Sequence, residues 1–441
     1  MGRRSIAKKL TTMKFTEKPV FKMLAIGVLA LLLLIPAGLI QNLINEREFT
    51  QDSAIAEMTS VWGGEQMLVG PYLTVPFDDP YTVTNSDGSE EISYARKYLY
   101  ILPENLVGNA EVLPETRTLG IYEAIVYKSD IGISGSFVLP DWEKVGVLPE
   151  HIAWEKVTVN IGISDLRGVK GAFNFNWNEE PLAMSSGLVT NDIYSSGIHT
   201  SVDLKAATEY NFSFSTGLRG SRRLSVVPLG KQSTFSMESP WTEPNFEGSF
   251  ATQKYESDEE GFTAHWEVSH LNRNYPQSWI GSQYALTSDY FGTEFVRTVD
   301  SYSKTNRVAK YAILIIALTF IVFYFSELIK GSKVNALQYV LVGLALVLFY
   351  TLLLSFSEHI GFNAAYAVAA LMTIAMEFLY SKSVLGSAKL AAYVAGVLAM
   401  LYSFIFVLIQ LKDFALLAGS LGLFVILGVI MYISRQIRWE E

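Results

Sequence analysis

Apolar residues run unbroken by charge over residues 23–40, give way to a long stretch of shorter alternating patterns, and return as five blocks at 311–329, 337–356, 362–380, 390–411 and 414–433. At 1.5 Å of rise per residue, about 18 residues cover a hydrocarbon core of about 30 Å, so each block predicts a membrane-spanning helix. The pattern therefore predicts six transmembrane helices, one in front of a large polar region and five behind it. The first block is longer than the apolar core of a secretory signal, and the small-residue triplet Ala54-Ile55-Ala56 lies too far beyond it to serve as a cleavage site, so it is read as an uncleaved anchor.

Between residues 45 and 307 the spacing changes to two. Val157, Val159, Ile161 and Ile163 fall on one face of "KVTVNIGIS", and Tyr210, Phe212 and Phe214 on one face of "EYNFSFS". Turn signals such as Asn85-Ser86-Asp87-Gly88 and Pro140-Asp141 punctuate these runs. The region reads as β-rich and sandwich-like, and its length allows two packed halves. Ala54, Ile55, Met58, Val61 and Trp62 depart from the pattern with helical spacing, ended by Gly63-Gly64, and continue the first membrane helix toward the β region. The short match between "SDLRGV" (164–169) and "TGLRGS" (216–221) reads as chance rather than duplication. The expected layout is a basic tail (1–22), a first transmembrane helix (23–43), a β-rich domain with an N-terminal helix (44–308), a five-helix bundle (309–434) and a short C-terminal segment (435–441).

Composition agrees with a chain that is partly lipid-embedded. Of its 441 residues 50% are hydrophobic and 17% charged, with a mean hydropathy of +0.26. There is no cysteine, which excludes disulfides, thiolate metal sites and cysteine nucleophiles. A net charge of −9 argues against nucleic acid as a partner. Charge is uneven, however, and its distribution orients the chain. Arg3, Arg4, Lys8, Lys9, Lys14, Lys18 and Lys22, then Lys330 with Lys333, Lys382 with Lys389, and Arg435 with Arg438 all fall on one side of the six-helix pattern. The positive-inside rule makes that side cytoplasmic, so both termini are expected in the cytoplasm and residues 44–308 outside it. Lys304, Arg307 and Lys310 run against the rule, as does Lys412, and long translocated domains are largely exempt from it.

No P-loop, dinucleotide fingerprint, nucleophile elbow or zincin motif is present, and His151, His199, His265, His270 and His359 show no metal-ligand spacing. No catalytic residue, metal or cofactor is expected. The acids of "YESDEEGF" (255–262) read as a solvated loop rather than a calcium site. Arg219, Arg222, Arg223 and Lys231 form a candidate contact for an anion or lipid, against the plainer reading of a basic hairpin. Glu327 and Glu377 are expected near the cytoplasmic helix ends, where they can snorkel, which disfavours an ion-coupled transporter. Ala388, Ala392 and Gly396, and Ala415 with Gly419, have the spacing of close-packing faces. Two readings stand for Glu358 and His359 in "LLLSFSEHIGF": a polar helix end, or a site at the outer membrane face that binds a partner group or responds to pH.

The order of segments, with "RVAKYAILIIALTFIVFYFSE", "LQYVLVGLALVLFYTLLLSFSEHIGFNAAY" and "LLAGSLGLFVILGVIMYISRQIRWEE" in the helices and "LVGPYLTVPF", "SPWTEPNFEGSF" and "GFTAHWEVSHLNRNYP" in the β region, resembles the CreD family of inner membrane, cell envelope integrity proteins over nearly the whole chain. One departure is Asn335-Ala336, where the family often carries His-Pro, which bears on local loop conformation. The resemblance implies a Gram-negative inner membrane protein linked to envelope integrity, to induction by a two-component system and to tolerance of colicins and β-lactams. It implies no catalytic residue and no role for the matching "SEH" element. The function expected is a non-enzymatic scaffold, held in the lipid bilayer, whose periplasmic domain binds envelope protein, peptidoglycan or lipid; the alternative is a conduit for lipid or a small molecule.

Overall fold

The computed structural model describes residues 19–204, 207–295, 301–330, 334–411 and 414–434. Arg3, Arg4, Lys8, Lys9, Lys14, Lys18, Lys333, Lys412, Arg435 and Arg438 of the charge argument lie outside them. The chain forms two compact units, residues 1–51 with 299–441, and residues 52–298. These limits lie inside the 44–308 read from hydropathy, because Ile44, Tyr302 and Val308 are buried among the helices.

The helical unit begins with α1 (Pro19–Leu32) and α2 (Leu34–Trp62). The break at Leu33 has a local cause: Pro36 has no N–H to offer the carbonyl of Leu32, and its ring crowds that turn. After the β region come α3 (Ser301–Lys310), α4 (Ala312–Lys330), α5 (Ala336–Ile360), α6 (Phe362–Leu385), α7 (Ala388–Gln410) and α8 (Ala415–Ser434). Among the described residues five helices are long and apolar enough to cross a membrane, and the α3–α4 pair, bent by 44°, makes a sixth if taken as one span. Between α5 and α6 the chain turns on Gly361 (φ 73°), and α6 ends on Gly386 in the left-handed region (φ 55°), where a side chain would be strained. Asn335 caps α5 in a reciprocal capping box with Gln338, so the dipeptide that departs from the family pattern still starts its helix well.

The packing stripe of α6 is Ala365, Ala369, Thr373, Glu377, Ser381 and Leu385, all buried at a spacing of four. On α7 the packed residues are Ala391, Val394, Leu398, Tyr402 and Ile405. This corrects the small-residue reading: Ala388, Ala392 and Gly396 are exposed, and a Cβ on Gly396 would meet nothing. Apart from Ala391, large side chains make the α7 interface.

The second unit is a sandwich of two sheets. The first runs in the order Asn245–Gly248, Phe291–Glu294, Arg223–Val227, Gln66–Thr84, Thr158–Ile163, Gly197–Ser201 and Ser185–Ser186. Glu90–Ile101 also pairs with Gln66–Thr84 and carries Ser278–Ile280. The second runs Lys254–Ser257, Phe262–Ser269, Gln232–Ser239, Asn105–Leu119, Tyr122–Val138, Glu209–Ser221, Val169–Trp177 and Glu180–Leu182. Two pairings are parallel, Gln66 with Leu224 and Gln232 with Asn105 starting their registers, and the rest are antiparallel. One core joins both sheets. Val159, Ile161 and Ile163 from the first meet Tyr210, Phe212 and Phe214 from the second, so the region is one sandwich rather than two halves. Within the second sheet the neighbouring strands Asn105–Leu119 and Tyr122–Val138 approach closely at Gly135, where a Cβ would lie 2.0 Å from the Asn105 carbonyl oxygen. Leu166–Gly168 is a single 3-10 turn while Gly217–Ser221 is strand, so the two short matching segments are not equivalent.

Candidate functional site

Polar side chains gather at both ends of the helical unit and, unexpectedly, inside it. At one end Glu358 closes α5, where the helix dipole disfavours a negative charge. The protein compensates from two other helices. Tyr302 on α3 donates its hydroxyl to Glu358 Oε1 at 2.8 Å, and Arg47 on α2 brings Nε to 3.9 Å of the same oxygen. The Glu358 side chain is 11% exposed. His359 is exposed, and its Nδ1 lies 3.1 Å from the Ser355 carbonyl oxygen. The two neighbours are therefore not one site, because consecutive helical residues point about 100° apart.

Two of the cations that ran against the charge rule, Arg307 and Lys304, are employed at this same end. Arg307 reaches the carbonyls of Leu408, Ile409 and Leu411 at 3.3–3.4 Å, a cation on the C-terminal turn of α7. Lys304 lies 5.6 Å from the Phe362 ring. Asn306 donates to Asn45 and accepts from Gln41, both at 2.9 Å, tying α3 to α2.

At the opposite end Glu327 is buried and fully engaged. Lys22 pairs with its Oε1, the Val334 amide donates to Oε1 at 3.0 Å, and Tyr339 donates to Oε2 at 3.0 Å. Lys330 holds the carbonyl of Leu385. Glu377 is 1% exposed, on the packed stripe of α6. Neither carboxylate snorkels: both are buried within the helical unit, a correction to the reading from hydropathy, although Glu327 does lie near the end of α4.

In the sandwich the four candidate cations are each occupied. Arg219 and Arg117 lie against the ring of Trp62, with guanidinium carbons 4.2 and 3.9 Å from its centroid, and the Trp62 indole N–H donates to the Tyr127 carbonyl. Arg222 pairs with Glu294 at 2.7 Å and Glu65 at 3.7 Å, and Arg223 with Glu247 at 3.2 Å and Glu65 at 3.5 Å. Lys231 binds Glu104 at 2.6 Å, beyond the far end of strand Arg223–Val227. Arg222 and Arg223 are brought together on Glu65, Arg219 lies on Trp62 and Lys231 apart, and the charges of Arg222, Arg223 and Lys231 are met by the protein's own acids. Burial raises the Glu247 carboxyl, aided by the neighbouring Glu294. Glu294 is held below the usual carboxylate range because hydrogen bonds from Arg222 and Asn245 outweigh its burial.

The acidic loop lines a concavity of about 360 Å³ with Glu111, Glu238, Glu256, Asp258 and Glu260. Among the described residues no group of three histidines and acids has metal-binding geometry.

One surface element was missed from sequence. The hairpin of strands Gln66–Thr84 and Glu90–Ile101 continues past the sheet, and from Pro80 to Ile92 every residue is exposed. Tyr81, Val83, Ile92 and Tyr94 are 49, 37, 65 and 57% exposed. Ile92 faces Thr82 and Tyr94 faces Pro80 across the ladder, so apolar groups occupy both faces of the arm. The signal available was the apolar alternation on either side of the Asn85-Ser86-Asp87-Gly88 turn, which marks a hairpin but not whether anything covers it.

Apolar helices long enough to span a bilayer, enclosing in sequence one large β-sandwich, define a polytopic membrane protein with a β-rich extramembrane domain. The family model described as "Inner membrane protein CreD" matches residues 18–440. The "Inner membrane protein CreD" of Escherichia coli (strain K12) is 33% identical over 439 residues, covering 96% of this chain and 94% of the relative. The chain belongs to the CreD family.

Proposed function

We propose that this protein is a non-enzymatic envelope-integrity scaffold: the helices hold it in the inner membrane, and the sandwich, on the periplasmic side, binds an envelope component through the exposed hairpin arm. The arm carries the reading. A solvent-facing arm rarely leaves large apolar side chains uncovered on both of its faces, Tyr81 and Val83 on one and Ile92 and Tyr94 on the other, unless another surface meets them, and two-stranded arms suit recognition by edge and side-chain contact. An envelope protein fits best, because Tyr and Ile on a polar ribbon resemble the anchors of protein interfaces. A photo-crosslinking residue at Ile92 of the full-length chain, in the membrane of its own cells, is expected to capture a discrete envelope protein. Capture of nothing, or capture at the same level from a control position in the sandwich core, would count against the proposal.

The alternative, lipid handling, also has an observation behind it. A groove of about 360 Å³ beside α1 is lined by Leu29, Leu32, Ala336 and Tyr339, with Lys22 at its polar end, dimensions that suit part of an acyl chain. Lys22 is already paired with Glu327, which leaves little charge for a headgroup and favours the scaffold.

A further inference from the structure

The packed stripe of α6 carries a carboxyl group that the fold does not neutralise. Glu377 is 1% exposed and its Oε2 has no hydrogen-bond partner. One turn on, Ser381 is 0% exposed with its hydroxyl unpartnered, and on α7 the Tyr402 hydroxyl is buried beside the Thr373 hydroxyl. Thr373, one turn earlier, spends its hydroxyl on the Ala369 carbonyl at 2.9 Å. Charged groups on the neighbouring helices are committed elsewhere: on α4, Glu327 to Lys22 and Tyr339, and Lys330 to the Leu385 carbonyl. The titratable side chains near enough to feel the Glu377 charge are the phenols Tyr380 on α6 and Tyr402 on α7, while the cations Lys382 on α6 and Lys389 on α7 are exposed and form no ion pair with it. Glu377 enters no ion pair among the described residues.

Position rules out escape to water. Glu377 lies eight residues before the end of α6 at Leu385, about 12 Å along the axis, deeper than a short carboxylate side chain can snorkel. A carboxylate stripped of water with no counter-charge costs several kcal/mol, and an ionisable residue kept inside a bundle marks a place where a charge is met. Among the described residues this place holds an acid and two hydroxyls but no paired cation, so the missing component is a cation from solution.

We propose that Glu377, with the hydroxyls of Ser381 and Tyr402, forms a binding site for one small monovalent cation, a proton or an alkali-metal ion. A proton converts the carboxylate into a donor that these hydroxyls can accept, and an alkali-metal ion takes the same hard oxygen atoms as ligands. The α6–α7 contact then depends on occupancy, because an empty site leaves a bare charge between two packed helices. This goes beyond the scaffold reading, in which the helices only anchor.

The test uses full-length protein in lipid nanodiscs and a hydrophobic carbodiimide, which attaches to protonated carboxyls in apolar surroundings, with the modified residue located by mass spectrometry. Thermal unfolding is followed in parallel against pH and against Na⁺ at constant ionic strength with choline. Modification at Glu377 is expected to fall as pH rises if the cation is a proton, or on adding Na⁺ at fixed pH if it is an alkali-metal ion. The same variable is expected to shift the melting temperature of the wild type and not of Glu377→Gln. Ser381→Ala keeps the acid and is expected to weaken the apparent cation affinity by about 5-fold, the worth of one hydrogen bond or ligand. No modification of Glu377, or modification and melting that ignore both pH and Na⁺, or equal responses of wild type and Glu377→Gln, overturns the proposal.

Discussion

The phenolic hydroxyl of Tyr302 donates to the carboxylate of Glu358 across 2.8 Å, joining the start of the last helical segment to the end of α5. With Arg47 behind it, this bond makes Glu358 a tie between three helices, while its neighbour His359 stays outside. Glu358→Ala is therefore expected to destabilise the helical unit by about 1.5–3 kcal/mol, the range for a hydrogen bond to a charged group, and Tyr302→Phe by a similar amount. His359→Ala is expected to fall within about 0.5 kcal/mol of wild type. Thermal unfolding of the full-length variants in detergent decides it, and a larger loss for His359→Ala would contradict the assignment.

The Lys22–Glu327 pair at the other end is buried on the Glu327 side, so removing one partner leaves the other charge exposed to an apolar interior. Lys22→Ala is expected to cost about 3–5 kcal/mol, softened if water reaches Glu327, and the double variant Lys22→Met/Glu327→Leu to recover most of it. A double variant no more stable than Lys22→Ala would show that the pair is not the source of the loss.

The orientation expected from the charge pattern is testable at exposed positions. Ser357 is buried at 5%, so it would report poorly, whereas His359 and Ser383 are exposed near opposite helix ends. Single cysteines at His359 and Ser383 are expected to react with an impermeant thiol reagent from outside the inner membrane at the first and not at the second. The reverse pattern would invert the assigned sides.

Asp165 gives the sandwich an acid-sensitive tie. The Arg167 side chain, and then the amides of Gly64 and Arg167, hold its carboxyl below the usual carboxylate range against the opposing effect of burial. A depressed folded value means that its contribution is present above the unfolded value of about 4 and is lost as pH falls through the folded value. Glu294 acts in the same direction and Glu247 in the opposite one. Asp165→Asn is expected to lower stability at neutral pH and to flatten the loss on acidification, read by denaturant unfolding of the full chain at several pH values. An unchanged slope would remove Asp165 from the account.

Much of this arrangement was legible in the sequence, and the exceptions share a cause. Period-two apolar runs named Val159, Ile161, Tyr210 and Phe212 as core residues because each strand has one face on the shared interior. The helix running on to Trp62 was legible from its spacing and the glycines after it. Hydropathy could not say which face of α6 or α7 is packed, because lipid-facing and core-facing positions are equally apolar. Exposed Ala392 and Gly396 thus looked like an interface, and buried Glu377 like a helix end. The basic cluster failed for a different reason: Glu65, Glu104, Glu247 and Glu294, which meet its charge, lie far from it in sequence.

The most direct test of the central claim is a complementation assay. In cells lacking the gene, leakage of a periplasmic enzyme under envelope stress is scored after restoring wild type or a chain with Tyr81, Val83, Ile92 and Tyr94 all changed to serine. If the arm is the contact surface, the variant reaches the membrane at normal abundance and fails to stop the leakage. Full rescue by that variant would contradict the account.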